Sequence, residues 1–216
     1  MFLPDIQKFT RDMAVSRLIP VSTEIVADLD TPLTLFSKVA EGKRHAFLFE
    51  SMEGGEKWGR FSFIGYDPLV IFSSKGDTVT LTHSRGKGCE SEAFRANPLQ
   101  ALKSLIADLG AAEYDYLPRF CGGAVGFLGY DMVRFMEELP DDREPNDLPD
   151  SSFIVPKIVL VHDSFRQTVT IVCWVKIDPD IGSNPQTLYG EALDLIKGVI
   201  ASIKQPVSQQ FIDESR

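Results

Sequence analysis

The chain has 216 residues, 44% hydrophobic and 25% charged, the proportions of an ordinary globular protein with one large domain or two small ones. Lys and Arg number 22 against 31 Asp and Glu, and the resulting net charge of −9 argues against a nucleic-acid or anionic-membrane partner. No apolar run approaches the length of a membrane-spanning helix, and Met1 to Arg11 carry Pro4 and Asp5 where a signal peptide would have an apolar core.

A β-rich run, Ile19 to Ile25, comes first. Thr31-Pro32 then pairs an N-capping residue with a proline suited to the first helical position. The helix it opens carries Leu33, Phe36, Val39 and Ala40 on one face and stops near Gly42. Strands are predicted at His45 to Ser51, Phe61 to Tyr66, Leu69 to Ser73 and Thr78 to Thr82, with a hairpin turn at Gly76-Asp77. Asn97-Pro98 opens a second helix, with Leu99, Leu102, Leu105, Ile106 and Leu109 at helical spacing, stopped by Gly110. Ala124 to Leu128 reads as a strand. The Pro-, Asp- and Glu-rich stretch from Leu139 to Ser152 reads as a long solvated loop. Strands follow at Lys157 to His162 and Thr168 to Val175, joined by a turn at Asp163-Ser164. Asn184-Pro185 opens a third helix, whose apolar stripe runs from Leu188 to Ile203. Strands in antiparallel order with few helices predict an α+β fold, with largely antiparallel, sandwich-like sheets flanked by about three to four helices. Residues 1–203 read as one domain and 204–216 as a polar linker.

The residues that usually carry chemistry are sparse. Cys89, Cys121 and Cys173 are odd in number and widely spaced, with no CxxC pair, so neither a zinc site nor a disulfide framework is indicated. A reducing cytoplasm is the expected setting. His45, His83 and His162 form no HxxxH or HExxH spacing, and no carboxylate pair marks a metal or acid/base site. Gly122, Gly123, Gly126 and Gly129 match neither a dinucleotide fingerprint nor a P-loop. They predict close approach of a neighbouring backbone and then a sharp turn into a short helix, on which Asp131 and Arg134 could pair.

One stretch does suggest a ligand. Between Phe47 and Asp67 an apolar strand, including Phe49, runs into Glu50 and Ser51, then a charged glycine-rich loop, then Arg60 at the head of a second strand. A carboxylate, a hydroxyl and a guanidinium at the rim of a buried sheet suit a small zwitterion: the carboxylate takes an ammonium, the guanidinium a carboxylate. Charged, glycine-rich turns between strands mostly bind nothing, so composition alone favours a plain surface turn.

The stretch closely resembles the N-terminal segment of anthranilate synthase component I, and so does the pattern from Gly122 through Val133-Arg134. The resemblance runs from Ile19 to about Ile203. It implies that Phe49, Glu50, Ser51 and Arg60 belong to a tryptophan-binding feedback site. It also implies the N-terminal regulatory portion of an enzyme of tryptophan biosynthesis, which converts chorismate to anthranilate with Mg2+ and with ammonia from a glutamine amidotransferase partner. The catalytic groups and Mg2+-binding glutamates of that family lie C-terminal to the resembling region. This stretch is therefore expected to hold no catalytic residue or cofactor of its own, to be inactive alone, and to expose an apolar face that promotes self-association. The alternatives are the corresponding portion of aminodeoxychorismate synthase component I and a free-standing amino-acid-binding module. The run from Glu53 to Arg60 favours the anthranilate enzyme.

Overall fold

The computed structural model describes residues 1–50, 59–85, 88–137, 147–178 and 184–207. They form two compact units. The first comprises Met1–Asp67, Ala111–Gly122 and Lys157–Arg216; the second comprises Pro68–Gly110 and Gly123–Pro156. The elements in chain order are α1 (Ile6–Asp12), β1 (Leu18–Val26), α2 (Pro32–Ala40), β2 (Ala46–Phe49), β3 (Phe61–Lys75), β4 (Thr78–Arg85) and β5 (Gly88–Arg95). There follow α3 (Pro98–Leu109), β6 (Val125–Leu128), a 3-10 helix (Tyr130–Phe135), β7 (Ser151–Asp163), β8 (Thr168–Lys176) and α4 (Pro185–Ile203). The fold is α+β with antiparallel strand pairing, as the residue pattern predicts.

The first unit is a sheet covered by helices. Its strand order is β1-β8-β7-β3, with β2 paired to β3. β1 pairs with β8 over its full length, from Leu18↔Lys176 to Val26↔Thr168. Alternate residues of these strands, Ile19, Val21, Ile64, Ile158, Leu160 and Ile171, are buried in one cluster. The helices cover it. α4 contributes Ala192, Ile196, Val199 and Ile203 at helical spacing, α2 contributes Leu35 and Val39, and α1 contributes Phe9. The proline-bearing caps work as expected: Thr31 accepts from the Thr34 N–H, and Asn184 from the N–H groups of Gln186 and Thr187. Asp5 caps α1 without a following proline, and this seven-residue helix was not predicted.

The second unit holds the outer part of β3, then β4 and β5, with β6 paired to β7. Phe72 and Val79 are buried here, and Phe72 meets Phe153 edge-on at 6.3 Å. Ser74 and Ser151 share a buried hydroxyl–hydroxyl hydrogen bond of 2.6 Å. Two predicted boundaries are corrected and one strand is added. The two strands expected at Phe61 to Tyr66 and Leu69 to Ser73 are one strand, because Asp67 takes a left-handed φ of +51° and lets Pro68, which has no donor, pass without ending the run. β7 begins at Ser151, inside the expected loop; of that loop, residues 139–146 lie outside the described residues. β5 was not predicted: its side chains are all exposed and show no apolar alternation, yet it pairs with β4 from Thr78↔Arg95 to Arg85↔Gly88.

The glycine segment behaves as the sequence suggests. A Cβ on Gly126 would lie 1.9 Å from the Ser152 carbonyl oxygen and 2.6 Å from the Phe153 Cα, so β6 can approach β7 only through a bare backbone. The chain then turns into the 3-10 helix, where Arg134 and Asp131 pair at 3.4 Å.

Candidate functional site: an aromatic recess with a charged rim

β2 ends at Phe49, which faces Phe63 across the ladder, so Glu50 lies just past the regular strand. Ala46 and Leu48 turn to the helix-covered core. Phe47 and Phe49 therefore point to the opposite face, with their rings 4.9 Å apart. On the neighbouring strand Phe61 and Phe63 are 6.5 Å apart, and Phe63 meets Phe120 edge-on at 4.8 Å. Phe49, Glu50, Phe61, Phe63 and Phe120 line a recess of about 280 Å3, just below the usual range for ligand sites. Phe120 is brought in from a distant part of the sequence by its neighbours. The Trp174 indole N–H donates to the Cys121 carbonyl at 2.7 Å, and Gly122 lies against the same indole, where a Cβ would fall 2.5 Å from its nitrogen.

Arg60, one residue before β3, lies over the Phe61 ring at 4.8 Å and over Phe165 at 5.4 Å. It is not a lone cation. Its Nε donates to both oxygens of Asp163, at 2.9 and 3.0 Å, and its Nη2 to Oδ2 at 2.5 Å. Asp163 Oδ1 also accepts the backbone N–H groups of Phe165 and Arg166, at 3.0 and 3.1 Å. The Arg60 hydrogen bonds, helped by these two amides, hold the Asp163 carboxyl below its ordinary range, against the opposing effect of burial. The Arg60 side chain is 45% exposed and that of Asp163 only 9%.

Of the four residues singled out in the sequence, the fold brings Phe49 and Glu50 into the recess and sets Arg60 against one of its walls. Ser51 lies outside the described residues. Sequence reasoning missed Phe120 and Asp163. Phe120 stands two residues before a glycine pair and Asp163 reads in sequence as a turn residue; no local pattern links either to Phe49.

Other features carry less chemistry. A larger groove of about 730 Å3 runs between α4 and the sheet, with Tyr66, Lys157 and Glu191 among its walls. Lys43 bridges to Asp67 there at 3.0 Å and lies over the Tyr66 ring. Burial pushes the Cys173 thiol up to about 11 and raises that of Cys121, which keeps both as inert thiols. Among the described residues no three His, Cys, Asp or Glu side chains converge on a possible metal position. No helix among them is long and apolar enough to cross a membrane.

Fold and recess together define an antiparallel α+β protein that offers an aromatic-walled, charge-rimmed recess on the sheet face away from its helices. Its relatives are specific. The chain is 34% identical over 92% of its length to anthranilate synthase component 1 of Acetivibrio thermocellus, and 30% identical over 96% to that of Synechocystis sp.. It is 32% identical over 95% of its length to the Arthrobacter globiformis protein. By sequence, then, the chain is a relative of anthranilate synthase component 1, and it spans about two fifths (38–40%) of these curated relatives. No family model matches it. The solved anthranilate synthase component I of Streptococcus pneumoniae TIGR4 aligns with 86% of this chain and 37% of its own, at 19% identity and a TM-score of 0.48.

Proposed function

We propose that this chain is the tryptophan-sensing regulatory portion of an anthranilate synthase component I. The observation that carries the reading is 30–34% identity along more than nine tenths of the chain to proteins of that name. On this reading the whole enzyme works in the cytoplasm. It converts chorismate to anthranilate with ammonia from a glutamine amidotransferase partner, and tryptophan, the pathway's end product, inhibits it. Binding of tryptophan here would be coupled to chorismate binding elsewhere in the enzyme, in the reciprocal sense of any allosteric pair.

The recess supplies suitable chemistry. An indole is a flat aromatic group, and Phe49, Phe61, Phe63 and Phe120 offer ring faces and edges to it. Glu50 offers a carboxylate for the ligand's ammonium. Arg60 keeps donors free for its carboxylate, and Ser51 belongs to the same proposal. On this reading the Mg2+ of the whole enzyme is held outside this recess.

The test is titration of the purified chain with L-tryptophan, followed through backbone amide NMR shifts. Shifts centred on Phe49, Glu50, Phe61, Phe63 and Phe120 are expected, with an affinity orders of magnitude weaker than that of a whole enzyme. The loss of even two contacts at about 1–3 kcal/mol each has that effect. Shifts centred elsewhere, or an equal response to D-tryptophan, would refute the assignment.

A further inference from the structure

We infer that Asp163 is a positioning residue of this site: it holds Arg60 by one edge of the guanidinium so that the remaining edge receives the carboxylate of a zwitterionic aromatic ligand. The inference rests on the ligand reading proposed above and adds to it a residue and a mode of recognition.

A guanidinium has five N–H donors in a rigid plane. Asp163 occupies the edge formed by Nε and Nη2. The edge formed by Nη1 and the outer N–H of Nη2 has the same fork spacing and fits a second carboxylate in bidentate fashion. That edge has no partner among the described residues, and the side chain is 45% exposed. Asp163 is itself a firm anchor. It is buried, closes β7, and is tied by two backbone N–H groups to the turn that leads into β8. The Arg60 carbonyl accepts from the Ser164 N–H at 2.9 Å and from its hydroxyl at 2.9 Å, so backbone and side chain of Arg60 are moored to the same turn. Phe61 and Phe165 each lie under the guanidinium, and Phe61 is also a wall of the recess. A free arginine would lose rotamer entropy on binding a ligand, whereas one already ordered loses little.

The opposing effect is charge. Asp163 also repels a ligand carboxylate, so its removal could strengthen binding if repulsion outweighed orientation. The two effects have opposite signs, which makes the experiment decisive. Asp163→Asn keeps Oδ1 for the two turn amides and replaces Oδ2, the acceptor for Nη2, with a donor. L-Tryptophan and tryptamine, which lacks the carboxylate, are titrated into the wild-type chain and the variant, with thermal melting as a check on folding. The Arg60 Nε–H resonance is followed in parallel.

The expected result is that the ratio of tryptophan to tryptamine affinity falls by about tenfold in the variant, the scale of one charge-assisted hydrogen bond. In the wild type the Arg60 Nε–H signal should move with tryptophan and stay with tryptamine. Tighter tryptophan binding by Asp163→Asn, or an equal loss for both ligands, overturns the inference. If tryptophan binds the wild type at the recess without moving the Arg60 signal, the positioning role falls and the ligand reading stands. If neither ligand binds the wild type, the ligand reading fails and takes this inference with it. Should Asp163→Asn fail to fold, Arg60→Lys replaces it: a lysine has no fork to share between two carboxylates, so the same tenfold fall in the affinity ratio is expected and an unchanged ratio overturns the inference.

Discussion

His162 lies on β7 with 4% of its surface exposed, and neither ring nitrogen has a hydrogen-bond partner among the described residues. Burial lowers its pKa, although Asp163, Asp30 and Glu50 pull the other way. Above the ordinary value of 6.5 the imidazole is neutral in both folded and unfolded chains and costs nothing in charge. Below it the unfolded chain binds the proton more readily, so stability falls as pH drops through the folded-state pKa. Urea unfolding between pH 8 and pH 5 should therefore show a loss of stability below about pH 6.5 that His162→Leu flattens. Because the imidazole makes no hydrogen bond to lose, the leucine variant should be at least as stable as the wild type at neutral pH. A second residue-scale expectation concerns Gly126, where a Cβ meets backbone atoms that cannot yield. Gly126→Ala should cost about 1–3 kcal/mol, the usual range for overpacking. Gly190→Ala, with open space around the new methyl inside α4, should stabilise by roughly 0.5–1 kcal/mol. Thermal melts of both variants check the pair.

At the scale of elements, α4 carries much of the cover over the sheet of the first unit. Its first turn depends on Asn184, which accepts from the N–H groups of Gln186 at 2.8 Å and Thr187 at 3.3 Å. Asn184→Ala leaves both donors to water and should cost about 1 kcal/mol, read as a lower urea midpoint with an unchanged slope. α4, α2 and α3 were legible because each begins with a capping side chain followed by proline and continues with an apolar stripe. α1 was not: its seven residues bury only Phe9, and its cap has no proline behind it. β5 was hidden for a related reason. Its stability comes from its ladder with β4, a partner that no period within Gly88–Arg95 reveals.

At the scale of the whole molecule, several large apolar side chains are about half exposed or more: Phe49 at 50%, Phe127 at 50%, Leu128 at 48% and Tyr130 at 87%. Phe61 and Phe63 are partly exposed as well, while Ile64 is buried at 1%. Surface of this kind promotes association. Sedimentation velocity should show the average mass rising with concentration from the low to the high micromolar range; a clean monomer throughout would mark the chain as self-sufficient. The same chain supplied with chorismate, ammonia and Mg2+ should form no anthranilate. On the proposed function that conversion needs a positioned general base and a metal site, and anthranilate fluorescence would reveal any turnover.

Local chemistry was enough to set out most of the elements: caps, glycines and apolar periods act within a few residues of themselves. A strand that breaks into charge is visible in sequence and brought Glu50, Ser51 and Arg60 to notice, but composition alone favours a plain turn there, and it is the family resemblance that makes them, with Phe49, a candidate site. Three things depended on tertiary structure. Asp67 takes a left-handed conformation that joins two expected strands into β3. Phe120 closes the recess because Trp174 holds its neighbours. Asp163, 103 residues from Arg60, occupies one edge of the guanidinium. Each is a contact between residues far apart in the chain. Such contacts are set by strand register and packing, which no short stretch of sequence encodes alone.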